Sequence, residues 1–220
     1  MGNGIKWASI NLGAQTSSEY GDRYAWGETT SKTTYTQATY THYDGGYKFI
    51  GADISNKASY DAVKANWTGS WRMPTNAEMQ WLVDNCDWEW TTEDGVAGYR
   101  VTSQTQNDKD GYNSIFLPAA GYQTGGYYQE IGSGCHYWTS VYYNDGDSYA
   151  LIGNQAGDSV TAEHRYYGVS VRAVTTAGAN EGGGGDITGG HNQGGSQGTG
   201  GDGNGSGNAG SGDTGGTIGN

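Results

Sequence analysis

The sequence predicts an α+β domain followed by a glycine-rich tail. Three observations carry that reading. Two short segments place apolar residues at helical spacing, the second behind a capping signal. Brief runs rich in β-branched and aromatic residues recur between Gly, Asn and Asp clusters, as short antiparallel strands joined by long loops would. Finally, 20 of the 41 glycines fall within residues 178–220, a stretch with no aromatic, Pro, Cys, Lys or Arg.

Taken in order, residues 4–12 read as a strand. Ser55 to Asn66 holds Ala58, Ala62, Val63 and Ala65 at near-helical spacing, with Ser55 or Asn56 as the cap. Thr75 follows a rigid Met73-Pro74 step and has Glu78 three residues on, the arrangement of a capping box. A helix from Asn76 to Asp84 then points Met79, Leu82 and Val83 one way, with Trp81 beside them. Asp87 to Thr92 and Tyr99 to Ser103 form the arms of a hairpin turning at Glu93-Asp94-Gly95. Ser114 to Leu117, Tyr137 to Val141, Ser148 to Ile152 and Gly168 to Val174 are further strands.

The segment Gly69-Ser70-Trp71-Arg72-Met73-Pro74-Thr75-Asn76-Ala77-Glu78 resembles the Trp-Arg-Met-Pro-Thr-x-x-Glu signature of the Fibrobacter succinogenes major paralogous domain family. Further blocks resemble that family in the expected order: Ile5-Lys6-Trp7-Ala8 with Asn11-Leu12-Gly13-Ala14, Tyr20 to Thr29, Gly98 to Ser103, Ser114 to Tyr122, Tyr137 to Ser140, and Arg165 to Val174. The resemblance spans residues 5–174. It implies a C-type-lectin-like fold, related to that of the formylglycine-generating enzymes, with two helices, small antiparallel sheets and long ordered loops. Such domains occur in surface proteins of Bacteroidales and in the variable proteins of diversity-generating retroelements. Trp7, Trp26, Trp71 and Trp138 lie inside these blocks and are expected to fill the core or pin loops. Arg72, Arg100, Arg165 and Arg172 lie there too and are expected in ion pairs.

Two units follow, a C-type-lectin-like domain over residues 1–176 and a low-complexity tail over 177–220. The tail buries too little apolar surface to offset chain entropy, so it is read as solvated. Chains that assemble could instead pack it as polyglycine, and oligomerisation through the tail stays open. Net charge is −12, of which Glu181, Asp186, Asp202 and Asp213 supply four in the tail. An acidic surface without a basic run disfavours nucleic-acid backbones and anionic membranes, and no nucleic-acid partner is expected. No apolar run approaches the roughly 20 residues of a spanning helix, so no membrane insertion is expected. Met1 leads straight into the first block, so no signal peptide is read. An excised fragment of an exported protein and a phage protein fit equally, and the expected location is extracellular, the cell surface or a virion.

Chemistry is sparse. Cys86 and Cys135 stand 49 residues apart, which suits no short metal motif and leaves a disulfide or two free thiols open. The closely spaced copper-holding cysteine pair of formylglycine-generating enzymes is missing. His42, His136, His164 and His191 show no ligand spacing, and no nucleophile elbow or phosphate-binding loop occurs. Carboxylate pairs such as Asp22 with Glu28 arise by chance among 23 acids. Tyr143-Asn144-Asp145 supplies half of a lectin calcium site, without the Pro-containing half. No catalytic residue, metal or cofactor is therefore assigned, and the chain is read as no enzyme.

What remains is residues 121–172, which hold 9 of the 18 tyrosines together with Asn, Asp, Ser and His. Tyrosine offers a large rigid contact at low entropic cost, and small polar residues add adaptable hydrogen bonds, the chemistry of antibody binding loops. Tyr127, Tyr128, His136, Tyr142, Tyr143, Asn144, Asp145, Asp147, Asn154, His164 and Tyr166 are the candidate ligand-binding residues. Many of these types are also reached by changing only the adenines of an AAC codon, as retroelement diversification would, and the family's plain Tyr/Asn richness produces a similar set. The function expected is recognition of a cell-surface protein or glycan. The alternatives are a structural surface or fibre module and a degenerate relative of the formylglycine-generating enzymes.

Overall fold

A computed structural model describes residues 1, 3–107, 111–176 and 178, among which lie eleven strands and two α-helices. Of the two units into which the chain divides, Met1–Thr188 contains all of them. The tail expected over 177–220 lies outside the described residues, Gly178 excepted. In chain order the elements are β1 (Ile5–Asn11), a 3-10 turn (Gln37–Thr39), α1 (Ala62–Asn66), α2 (Asn76–Asn85), β2 (Cys86–Glu93), β3 (Val96–Asn107), β4 (Gly111–Pro118), β5 (Tyr122–Thr124), β6 (Tyr127–Gln129), β7 (Cys135–Tyr142), β8 (Asp147–Asn154), β9 (Gly157–His164), β10 (Gly168–Val169) and β11 (Arg172–Thr176). They form four small antiparallel sheets, ordered β1-β11, β10-β5-β6, β2-β3-β4 and β7-β8-β9. The architecture is α+β and mostly β.

The second helix forms as its capping signal requires. Thr75 Oγ1 accepts from the Glu78 N–H, and the Glu78 carboxylate returns to the Thr75 N–H at 2.9 Å. Arg72 adds a bidentate pair to the same carboxylate at 2.6 and 2.8 Å. Met79 and Leu82 enter a core cluster with Val101, Leu117, Cys135, Tyr137, Leu151 and Val174. The β2–β3 hairpin turns at Asp94-Gly95, both with positive φ (49° and 81°), which closes Glu93 opposite Val96.

The first helix is shorter than its periodicity suggests. It starts at Ala62, and Asp61 is its cap, not Ser55 or Asn56. The buried Asp61 carboxylate accepts from the backbone N–H groups of Asn56, Val63, Lys64 and Met73, all within 3.2 Å. Asn56 itself sits at φ 61°, so residues 55–60 wrap around that carboxylate as turns instead of continuing the helix. The single strand expected over Gly168–Val174 is split between two sheets. Val169 faces Tyr122 and Tyr24, while Arg172 onward pairs with β1.

Reciprocal indole contacts knit the other large cluster. Trp26 Nε1 donates to the Thr139 carbonyl at 2.9 Å, and Trp138 Nε1 donates to the Tyr24 carbonyl at 2.7 Å. Trp7, Trp26, Trp71 and Trp138 are all buried. Arg172 is fully buried and its donors reach Asn11 Oδ1, the Ala8 carbonyl and the Phe116 carbonyl, tying β1, β4 and β11 together. Desolvation pushes its guanidinium down to about 10. Arg72 and Arg100 do form ion pairs, whereas Arg172 and Arg165 are held by carbonyls and neutral side chains. Both cysteines are free and buried, and desolvation pushes the Cys135 thiol up to about 12.

Candidate functional site

Arg165 organises the surface on which the tyrosines gather. Its side chain is fully buried. Nε donates to the Tyr40 hydroxyl at 3.0 Å, Nη1 to the Asp145 carbonyl at 3.1 Å and Nη2 to the Lys48 carbonyl at 3.0 Å. The guanidinium lies 4.8 Å from the Trp26 ring centre, with Tyr40, Tyr47 and Tyr142 at 5.5–5.8 Å. Among the described residues no carboxylate pairs with it, so its charge is met by carbonyl dipoles and ring quadrupoles. The consequence is geometric. One side chain fixes the loop before Phe49 and the β7–β8 turn against each other.

Upon that base the β7–β8 turn is ordered by its own side chains. Asn144 Oδ1 accepts from the Gly146 and Asp147 N–H groups, and its amide donates to Asp147 Oδ2. Asp147 Oδ1 is 2.7 Å from His164 Nδ1. The Tyr142 hydroxyl donates to Asp145 Oδ1 at 2.7 Å, which with desolvation and the carboxylate's charge raises the phenol above its ordinary range. Between Trp138 and Tyr142 the β7–β8 register shifts and β7 bonds to residues 52–54; Tyr142 pairs again with Ser148, and its ring packs on Trp26. Asn144 and Asp147 therefore shape the loop, while Tyr143 is left half exposed against Tyr149.

Phe49 completes this face. It is 65 % exposed and meets Tyr142 edge-on at 5.2 Å. His164 and Tyr166 stack at 5.5 Å, and Tyr166, Tyr43 and Tyr47 all pack against the buried cluster of Ala25, Tyr35 and Tyr40. Tyr47, Phe49 and Arg165 were not among the candidates read from sequence. The available signal was Phe49 itself, one of two phenylalanines, set in the glycine- and tyrosine-rich stretch 43–49. The other half of the signal, contact with a turn about a hundred residues later, exists only in the fold.

The remaining candidates fall elsewhere. Tyr127, which is 76 % exposed, and Tyr128 lie on the edge strand β6, with Arg23 stacked 4.6 Å from the Tyr128 ring centre. His136 is buried between Glu130 and Glu163. Asn154 sits at the β8–β9 turn, opposite Gly157, at the far end of the ladder from the Asp147–His164 pair. The structure thus brings together Tyr142, Tyr143, Asn144, Asp145, Asp147, His164 and Tyr166, and leaves the other four apart.

Two cavities are lined by none of the residues of this face. One cavity of about 240 Å³ is lined by Ser9, Ile10, Gln15, Thr16 and Ser17. Another of about 210 Å³ is lined by residues including Glu28, Lys32, Thr41 and His42. There Glu28 is already bound by Lys32 at 2.7 Å and by the Thr41 N–H at 2.8 Å. Among the described residues no group of three or more His, Cys, Asp or Glu could hold a metal ion, and no helix is long and apolar enough to cross a membrane. No protein-family model, curated protein or solved structure matches this chain.

Proposed function

We propose that this chain is a non-enzymatic recognition module of C-type-lectin-like fold, belonging with the Fibrobacter succinogenes major paralogous domains, that binds a cell-surface or extracellular protein or glycan. The observation that carries the reading is the face made by Phe49, Tyr142, Tyr143, Tyr47, His164 and Tyr166, held from beneath by Arg165. A rigid amphipathic surface loses little entropy on binding, and that is what makes tyrosine-rich loops effective. Phe49 is 65 % exposed and adjoins Tyr142, so it adds apolar area to this face that a partner could bury. Location outside the cell or on a virion accords with this role.

The test is a screen of the labelled full chain against arrays of glycans and of bacterial and host cell-surface proteins. At least one reproducible, saturable probe is expected. A chain that binds none of them, while folded by circular dichroism, would favour the structural-module alternative.

A further inference from the structure

The buried imidazole of His136 has a carboxylate against each nitrogen. Nδ1 lies 3.1 Å from Glu163 Oε2, and Nε2 lies 3.0 Å from Glu130 Oε2. A neutral imidazole has one N–H and one lone pair, so it can satisfy only one of the two; the imidazolium donates to both. His136 itself is 3 % exposed. Its two partners differ in footing. The Glu163 side chain is 11 % exposed, and its other oxygen accepts from the His164 N–H. Glu130 is 51 % exposed and sits on the turn between β6 and β7.

That turn is built to deliver Glu130. Its backbone adopts φ 57°, a left-handed conformation that is unfavourable for a non-glycine residue. Gly134, four residues on, lies directly under the carboxylate: a Cβ there would fall 2.4 Å from Glu130 Oε2 and 3.3 Å from His136 Nε2. The missing side chain is what lets Glu130 cross the turn to the ring. The same turn follows Tyr127 and Tyr128 and carries Ile131, all three exposed.

We propose that Glu130, His136 and Glu163 form a proton-operated latch that clamps the β6–β7 turn, and with it the Tyr127–Tyr128–Ile131 ridge, onto the β7-β8-β9 sheet. The groups facing the imidazole are Glu130 from the turn, Glu163 from β9 and the Tyr122 phenol from β5, whose ring centre is 4.8 Å away. Burial alone would push the His136 imidazole down, and the hydrogen bonds and charges of Glu163 and Glu130 more than offset it, holding the imidazole above its ordinary 6.5. A raised folded-state value means the clamp's contribution is fully present below pH 6.5 and is lost as pH rises through the folded value. On deprotonation the remaining N–H stays with the better-fixed Glu163, and Glu130 turns to water. The latch does not depend on what the aromatic face binds.

The test is an NMR titration of the isotope-labelled full chain between pH 5 and pH 9, with hydrogen-exchange protection read in parallel. His136 should be doubly protonated at pH 6 and titrate with a midpoint above 6.5. Protection of the Ser133 and Gly134 amides, which bond to the Glu130 carbonyl, should fall at least about tenfold through that midpoint, as losing one charge-assisted hydrogen bond would allow. Trp138 should not follow. Glu130→Gln, an exposed and conservative change, should leave a folded chain whose turn protection no longer varies with pH. A midpoint at or below 6.5, turn protection indifferent to the His136 titration, or an unchanged pH profile in Glu130→Gln would each overturn the latch.

Discussion

At the scale of single residues, the chain spends its few cations on positioning. Among the described residues Arg165 and Arg172 have no carboxylate partner, and each is buried and joins segments that are distant in sequence through backbone carbonyls. Burying a guanidinium is tolerable only when its donors are used, so removing it orphans the carbonyls it served. Arg165→Met should keep the apolar volume, lose three hydrogen bonds and cost about 2–4 kcal/mol by denaturant unfolding. Crosspeaks of Lys48 and Asp145 should broaden in the same variant. A stability within 0.5 kcal/mol of the parent, roughly the scatter of neutral surface changes, would mean that the two loops hold themselves. Sequence placed these arginines in scaffold segments but could not distinguish ion pairing from carbonyl bridging, because their partners lie up to 164 residues away.

At the scale of elements, local signals were legible where the chain satisfies itself locally. Thr75 to Glu78 fixed the start of α2, and Asp94-Gly95 fixed a hairpin, because each motif closes its own hydrogen bonds. Reading failed where a distant group intervened. Asp61 captures the N–H groups of Asn56 and Met73 and thereby truncates α1. Strands β5, β6 and β9 carry too little apolar alternation to announce themselves, β9 being Gly-Asp-Ser-Val-Thr-Ala-Glu-His on an outer edge. Glu78 offers a quantitative check. Burial would raise its carboxyl, but hydrogen bonds from Arg72 and Thr75 together with the Arg72 charge hold it below its ordinary value of 4.5. A depressed carboxyl stabilises above that value and loses its contribution as pH falls through the folded value. Glu78→Gln should therefore cost about 1–2 kcal/mol at neutral pH. The gap to the parent should narrow below about pH 4.5. A gap that stays constant from pH 7 to pH 3 would contradict the assignment.

At the scale of the whole molecule, composition divides the chain more simply than contacts do. Residues 179–220 bring mostly glycine and small polar residues and four of the acids. Deleting them should leave the melting temperature within a few degrees, since little apolar surface goes with them. A larger drop would revive packed polyglycine as the tail's role. The proposed face draws on two loops brought together by Arg165 and by the Phe49–Tyr142 ring contact, both long-range, which is why its tyrosines were legible in the sequence but Phe49 was not. Replacing Tyr142, Asn144 or Asp145 is a poor probe of that face, because those side chains also hold the turn and the core.

Phe49 and Tyr143 are exposed and make edge-on ring contacts with Tyr142 and Tyr149, with no side-chain hydrogen bond to lose among the described residues, so changing them is expected to leave the scaffold folded. The most direct measurement is binding of the full chain and of Phe49→Ser/Tyr143→Ser to the glycan or surface protein captured in the array screen, with circular dichroism on both. The account predicts superimposable spectra and affinity reduced by at least about thirtyfold, the loss of roughly 2 kcal/mol expected from removing aromatic anchors. A folded double variant that binds the captured probe as tightly as the parent would contradict the placement of recognition on this face.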